Sequence, residues 1–226
     1  RIWVGDVKYK DISGPDGVPD GVIDDYDKTN IGSPMPKFTF GWTNTFRYKN
    51  FDLSVFINGS YGNKVYNYLS MKLTHMNSPW TNQLNAVNGR AQLVPINPNK
   101  VYEDGTMWYN DVSNVMVANP GASIPRATIN DPNDNDRISD RYIEDGSYIR
   151  LKNISLGYTF PKKTIDKLGL SNLRIYANIQ NLLTITGYDG YDPEIGASTS
   201  SVNVYGLDNG RYPSPTVYSF GLNVSF

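Results

Sequence analysis

Residues Thr216–Phe226 read T-V-Y-S-F-G-L-N-V-S-F. Val217 aside, Tyr218, Phe220, Leu222, Val224 and Phe226 fall on one side of a two-residue period, and Ser219, Gly221, Asn223 and Ser225 on the other. Successive side chains of a strand point to opposite faces, so this alternation predicts a strand with one apolar and one polar face. The apolar side carries no charge and ends on an aromatic residue. Such a strand serves in a soluble sheet or in the wall of a membrane β-barrel. The rest of the sequence decides between the two.

Working outward, the same period recurs. Phe38, Phe40, Trp42, Phe46 and Tyr48 alternate with Thr39, Gly41, Thr43, Thr45 and Arg47, and Phe51, Leu53, Val55, Ile57, Gly59 and Tyr61 with Asp52, Ser54, Phe56, Asn58 and Ser60. Ile154, Leu156, Tyr158 and Phe160 form a third apolar row, and Leu173, Ile175, Ala177 and Ile179 a fourth. The expected strands are therefore about 36–48, 51–62, 148–160, 172–185 and 216–226. Stretches 1–35, 63–147 and 186–215 are left as polar loops. Lys49-Asn50 is read as a two-residue hairpin turn: its flanks Tyr48 and Phe51 share the apolar face, and Asn50 tolerates a positive φ.

The connections run short, long, short, long. In an up-and-down sheet both short turns then lie at one end and both long loops at the other, the plan of outer-membrane barrels. A connection as long as 63–147 is foreign to a compact soluble domain, where loops beyond ~12–15 residues are uncommon. From Phe38 to Tyr48 the strand is about 33 Å long at ~3.3 Å per step. Tilted by ~40°, it spans roughly 25 Å, the height of the apolar band of such barrels. Tyr48, Phe51, Tyr158, Phe160 and Phe226 all fall at the short-turn end, where an aromatic girdle is expected. Phe40, Leu53, Leu156, Ile175 and Leu222 are expected to face lipid. Thr43, Asn58, Asn153, Asn178 and Asn223 are expected to face the interior. Asn44 and Asn181 break the pattern, and Ile149, Arg150, Leu151 and Lys152 have inverted parity, for which a β-bulge is one remedy.

Composition narrows the chemistry. The 226 residues carry a formal charge of −1, so no net basic field points to nucleic acid. There is no cysteine, which excludes disulfides, thiol nucleophiles and thiolate metal sites. No apolar run approaches the ~18–20 residues of a membrane-spanning helix. The single histidine, His75, has no partner pattern around it and reads as an ordinary loop residue. Acid pairs such as Glu144/Asp145 and Asp189/Asp192 read as turn residues rather than a glycosidase pair. No catalytic function is expected.

Two stretches carry metal-like spacing. With Asp16 as first position, Asp20, Asp24 and Asp27 fall at five, nine and twelve, with Gly21 at six and Ile23 at eight, as in a calcium loop. Val18 lacks the ligand expected at position three, and Asp27 replaces the usual glutamate. Bound Ca2+ and a plain solvated acidic turn both remain open. Asp131-Pro-Asn-Asp-Asn-Asp136 lacks the glycine and apolar anchor, and an Asx-rich turn is the expectation. Trp80, Trp108, Tyr109, Tyr188 and Tyr191, all in loops, are candidates for contact with a substrate or a lid protein.

The stretches SDRYIEDGSYIRLKNISLGYTFP (Ser139–Pro161) and NLRIYANIQNLLTITGYDGYDPE (Asn172–Glu194) resemble the C-terminal part of SusC/RagA-type TonB-dependent transporters of Bacteroidetes. Residues Gly5–Trp42 and the terminal strand ending on Phe226 fit the same family. The resemblance implies an all-β fold: the C-terminal strands of an outer-membrane barrel of about 22 strands, with long extracellular loops. A plug domain and TonB box are expected outside this chain. It further implies active import of oligosaccharides or oligopeptides, a SusD-like lipoprotein lid, energy from TonB and pairing of transporter–lid units into a dimer. No cofactor is required beyond the calcium reading above. The competing expectation is a secreted, soluble all-β carbohydrate-binding module with a calcium loop.

Overall fold

The structure, a computed structural model, describes residues 2–195 and 204–226; the part of the 186–215 loop between them lies outside the described residues. In chain order the strands are β1 (Phe38–Tyr48), β2 (Phe51–Tyr61), β3 (Lys64–Asn67), β4 (Leu93–Pro95), β5 (Val115–Val117), β6 (Ile143–Asp145), β7 (Tyr148–Thr159), β8 (Asn172–Thr186), β9 (Leu207–Asp208) and β10 (Val217–Ser225). Two short helices, α1 (Tyr68–Thr74) and α2 (Lys162–Ile165), and several 3-10 turns complete the fold. The chain divides into two compact units, Arg1–Ile31 with Leu69–Tyr142, and Gly32–Tyr68 with Ile143–Phe226.

The second unit is built on a five-stranded antiparallel sheet in the order β1-β2-β7-β8-β10. Every neighbour in the sheet is the next long strand in the chain, so the sheet is a pure meander. Tyr48 pairs with Phe51 across the Lys49-Asn50 turn. The positive φ falls on Lys49 (52°), not on Asn50, as at the first central residue of a type II′ turn. Asn50 instead donates its side-chain amide to the Thr159 carbonyl at 2.6 Å and accepts from the Thr159 amide. It ties the hairpin to the end of β7.

The inverted parity of residues 149–152 has a simple cause. Phe56 faces Asn153 and Ile57 faces Leu151, so Lys152 is an extra residue opposite β2. Opposite β8 the register also slips, from Leu151↔Leu183 to Asn153↔Gln180, and Asn181 takes a φ of 52°. A bulge of this kind turns the side chains beyond it to the other face. Arg150 thereby joins Asn58 and Thr184 on the polar face, while Ile149 and Leu151 align with Gly59, Ile57, Leu183 and Ile185 on the apolar one. Asn181 donates its side-chain amide to the Pro215 carbonyl at 3.0 Å, while among the described residues its buried side-chain oxygen has no partner. Nothing in the structure explains Asn44, which lies opposite Val55 in the apolar row.

The polar face is cross-linked. Asp52 on β2 and Arg174 on β8 meet at 2.6 Å over Gly157 of the strand between them. A Cβ on Gly157 would collide with both groups. The apolar face, by contrast, is left uncovered by the described residues: Trp42 is 54 %, Leu222 61 % and Phe220 82 % exposed. A self-contained soluble sandwich requires these residues in its core, and they are not in one. The buried apolar side chains of this unit, Val65, Ile165 and Tyr188, lie outside the sheet's long strands. The sheet is open, with β1 and β10 at its two edges.

Close packing across β1, β2 and β7 leaves no room at Gly59. A Cβ there would lie 2.5 Å from the Tyr148 carbonyl oxygen and 2.6 Å from the Phe40 ring. Neither the strand backbone nor a cross-strand aromatic yields easily, so Gly59→Val is expected to lower folding stability by about 1–3 kcal/mol, read from urea unfolding in lipid vesicles.

Within the second unit, β3 pairs antiparallel with β6 and parallel with β9. The first unit holds the two-stranded β4–β5 sheet and most of α1, around buried Met71, Ala91, Val115, Ile124 and Tyr142. The stretch read as loop, 63–147, thus carries short elements that pair with one another and with segments far along the chain rather than one continuous pattern.

Candidate functional site

The residues expected to meet lipid share the apolar face. Phe40 (38 %), Ile175, Leu156 and Leu222 are exposed, Leu53 is half-buried, and the terminal Phe226 is 93 % exposed. At the short-turn end the aromatic rings touch. Phe51 and Tyr158 have centroids 4.7 Å apart, Tyr158 and Phe160 5.0 Å, and the Lys49 ammonium sits 5.3 Å above the Tyr48 ring. Opposite them run polar side chains, including Asn58, Asn153, Asn178 and Asn223. Among the described residues, the buried side-chain oxygens of Asn58 and Asn178 have no hydrogen-bond partner. One apolar and one polar surface, back to back across a single sheet, is the geometry that separates two solvents.

At the long-connection end of the sheet the bulge delivers Arg150 into a charge network that sequence reading missed. Arg150 is 3 % exposed and Asp192 6 %. The guanidinium donates to Asp192, to Glu194 at 2.7 Å and to the Thr184 hydroxyl at 2.8 Å, and Lys152 reaches Glu194 at 2.7 Å. Burial works against the charge on Asp192, but the Ser214 and Glu194 amides and Arg150 outweigh it and hold its carboxyl below the ordinary range. The network fastens the segment after β8 to the sheet. The only sequence signal was the pair of cations at apolar parity in β7.

Tyr188, grouped from sequence with the exposed loop aromatics, is 5 % exposed. Its hydroxyl donates to Asp208 at 2.5 Å. Asp208 is 2 % exposed and also accepts from the Gly210 and Arg211 amides, so Tyr188 completes a buried anion's hydrogen bonds. Burial and the neighbouring carboxylate push the Tyr188 phenol far above its usual range. Tyr188→Phe is expected to cost about 1–3 kcal/mol and to speed proteolysis around residues 204–214.

The other aromatics stay at the surface. Trp80 is 92 %, Tyr191 65 % and Tyr109 46 % exposed, and Trp108 packs edge-on against Tyr109 at 5.7 Å. The acidic run is spent on backbone caps. Asp24 accepts from the Tyr26 amide, and Asp27 from the amides of Asp24, Ile12 and Ser13. Asp20 accepts from Val22, and Asp11 from Gly21. The Ile12 and Asp24 amides hold Asp27 below the ordinary carboxylate range. Among the described residues, Asp16, Asp20, Asp24 and Asp27 do not converge on one point; His75, Asp131 and Asp136 do, with one donor atom from each within 4.8 Å of the others. Sequence reading kept His75 and the Asp131–Asp136 run apart because 56 residues separate His75 from Asp131.

No protein-family model matches the chain. It is 36 % identical over 211 residues to TonB-dependent receptor P3 of Formosa agariphila, covering 91 % of the chain and 18 % of that protein. It is 33 % identical over 231 residues to receptor P26 of the same organism, covering 99 % and 20 %. TonB-dependent receptor SusC of Bacteroides thetaiotaomicron is 29 % identical over 209 residues, covering 91 % and 17 %. The chain therefore spans about a fifth of the length of the relatives it matches. Among solved structures, the RagAB peptide importer in its open-open state aligns with a TM-score of 0.59 at 21 % identity, covering 94 % of the chain and 20 % of that one. The RagAB peptide transporter aligns at 0.57 and 20 % identity, covering 86 % and 18 %.

Proposed function

We infer that the chain belongs to the SusC/RagA family of TonB-dependent receptors, whose members match it over nine-tenths or more of its length. From that premise, its role is to supply part of the wall and loops of an outer-membrane importer of oligosaccharides or oligopeptides. The observation that carries this reading is the two-faced meander. Its apolar face, from Phe40 to Leu222, is left uncovered, and its polar face is linked by Asp52–Arg174 and Arg150–Asp192.

In this account the apolar rows meet hydrocarbon, and the aromatic rings near Tyr48, Phe51 and Tyr158 sit at the interface. The polar rows line the lumen, where partnerless oxygens such as those of Asn58 and Asn178 meet water or a plug. The edges at β1 and β10 are closed by other strands of the receptor, since a free edge in lipid leaves backbone groups unsatisfied. No covalent chemistry is assigned to the chain. Its surface aromatics Trp80, Trp108, Tyr109 and Tyr191 are the candidates for contact with cargo or with a SusD-like lid. Calcium in the acidic run stays a subordinate proposal, since Asp20, Asp24 and Asp27 already accept backbone amides.

The test uses the whole receptor in its native cells. Uptake of labelled oligosaccharides and oligopeptides is measured with and without a protonophore, and with and without TonB. Uptake of one class that stops when either energy source is removed is expected. Uptake indifferent to both means a passive pore, and no uptake of either class rejects the cargo assignment.

A further inference from the structure

We propose that His75 and Asp136, backed by Asp131, bind a divalent transition-metal ion in the unit formed by Arg1–Ile31 and Leu69–Tyr142. The imidazole Nε2 lies 2.8 Å from the Asp131 carboxylate, and Nδ1 lies 3.1 Å from that of Asp136. His75 is 8 % exposed and Asp131 6 %. Both ring nitrogens therefore face groups that only accept hydrogen bonds when ionised. A neutral imidazole has one N–H and one lone pair. With the proton on Nε2, toward Asp131, Nδ1 keeps a lone pair with the Asp136 carboxylate 3.1 Å away. The triad asks for one more cation.

No basic side chain supplies it. Arg126 is engaged by Asp6 at 2.8 Å, Arg137 lies 3.8 Å from Asp134 and stacks on the Tyr9 ring, and Arg141 donates to the Ser123 carbonyl and lies over the Tyr142 ring. Among the described residues, His75 is the sole charged or chargeable group in an ion pair with either Asp131 or Asp136.

The division of labour follows from the hydrogen bonds. Asp131 is fully committed: Asn135 donates its backbone and side-chain amides to the two carboxylate oxygens at 2.6 Å each. It is a fixed acceptor for an Nε2–H, which orients the ring and leaves the Nδ1 lone pair toward Asp136. A carboxylate behind the ring of a metal-bound histidine is the usual supporting arrangement. Ligands at ~2.0–2.2 Å from one ion stand roughly 3–3.4 Å apart in octahedral or tetrahedral geometry, and 3.1 Å separates Nδ1 from Asp136. That separation matches two ligands of one ion. The Asp136 side chain is 34 % exposed, so solvent can fill the remaining positions.

An imidazole donor selects zinc, copper or nickel over calcium or magnesium. Bound there, the ion pins the residue after α1 to the 131–136 turn, which itself holds the N-terminal segment through Asn133 and Asn135 on Val7.

The experiment is a zinc titration of the intact receptor in detergent after chelation, alongside Asp136→Asn and His75→Gln. One zinc equivalent present in the wild type is expected to weaken by at least about tenfold in either variant, with calcium failing to compete. X-ray absorption of the wild type should report one imidazole nitrogen at that site. Asp136 is partly exposed, so its variant decides the matter where His75→Gln misfolds, with near-UV dichroism confirming the fold. Identical zinc binding in wild type and Asp136→Asn overturns the proposal.

Discussion

Leu222→Arg is expected to cost about 2–4 kcal/mol of folding stability in a bilayer, and Asn223→Arg far less. The two positions are adjacent in β10 and lie opposite Ile175 and Arg174. Leu222 is 61 % exposed in the isolated chain and flanked on its own face by Phe220 and Val224. If that face meets hydrocarbon, an arginine there must be dehydrated or must drag water into the membrane, and nothing nearby pairs with it. At Asn223 the same side chain enters a polar row that already holds the Asp52–Arg174 pair. Refolding of the receptor into vesicles, followed through a urea series, measures the difference. Equal tolerance of the two substitutions contradicts the lipid-facing assignment, since no other property separates neighbours so sharply.

The second large effect concerns Arg150. Arg150→Met removes the guanidinium from a carboxylate that is 6 % exposed, and an uncompensated buried charge typically costs about 3–5 kcal/mol. The loss should be local: hydrogen exchange and protease access are expected to rise at residues 188–195, whose anchor is lost, while the strand register persists. Adding Asp192→Leu removes the orphaned charge and should recover part of the loss. A pH arm checks the sign. The folded Asp192 carboxyl titrates below its unfolded value, near 3.9. Its contribution is therefore complete above that range and lost as pH falls through the depressed folded value. The wild type should keep the segment protected at neutral pH and release it only in acid below about pH 4, whereas Arg150→Met exposes it already at pH 7.

The strands were legible because their chemistry repeats every two residues. Tyr48 and Phe51 announced their own pairing, and the run from Tyr218 to Phe226 gave its face and its length. The inversion at Ile149–Lys152 was visible as a fault in the pattern. Its cause was not, because a bulge is a relation between three strands and shows only when Lys152 lacks an opposite residue on β2. Tyr188 misled for a related reason. An aromatic in a polar loop looks exposed until a distant buried acid, here Asp208, is found to need a donor. His75 and Asp131 likewise meet across 56 residues with no periodicity between them. Local alternation survives in a single sequence; pairings set by loop closure do not.

The acidic run shows the converse. Spacing alone suggested a calcium loop, yet Asp24 and Asp27 fold into a reciprocal cap on the Asp25–Asp27 turn. Carboxylates at ligand spacing are also carboxylates at capping spacing, and amide donors a few residues away are always available to compete.

The central claim is that alternate residues of one strand face hydrocarbon and water. These 226 residues contain no cysteine, so in a receptor cleared of cysteines elsewhere, single cysteines introduced from Tyr218 to Ser225 can each carry the one spin label. Power saturation of the receptor in vesicles, with oxygen and a water-soluble nickel chelate as relaxers, then reports both solvents position by position. The account predicts a strict two-residue oscillation, with oxygen dominant at 218, 220, 222 and 224 and nickel dominant or both excluded at 219, 221, 223 and 225. Equal nickel access at both sets would place this strand in water and contradict it.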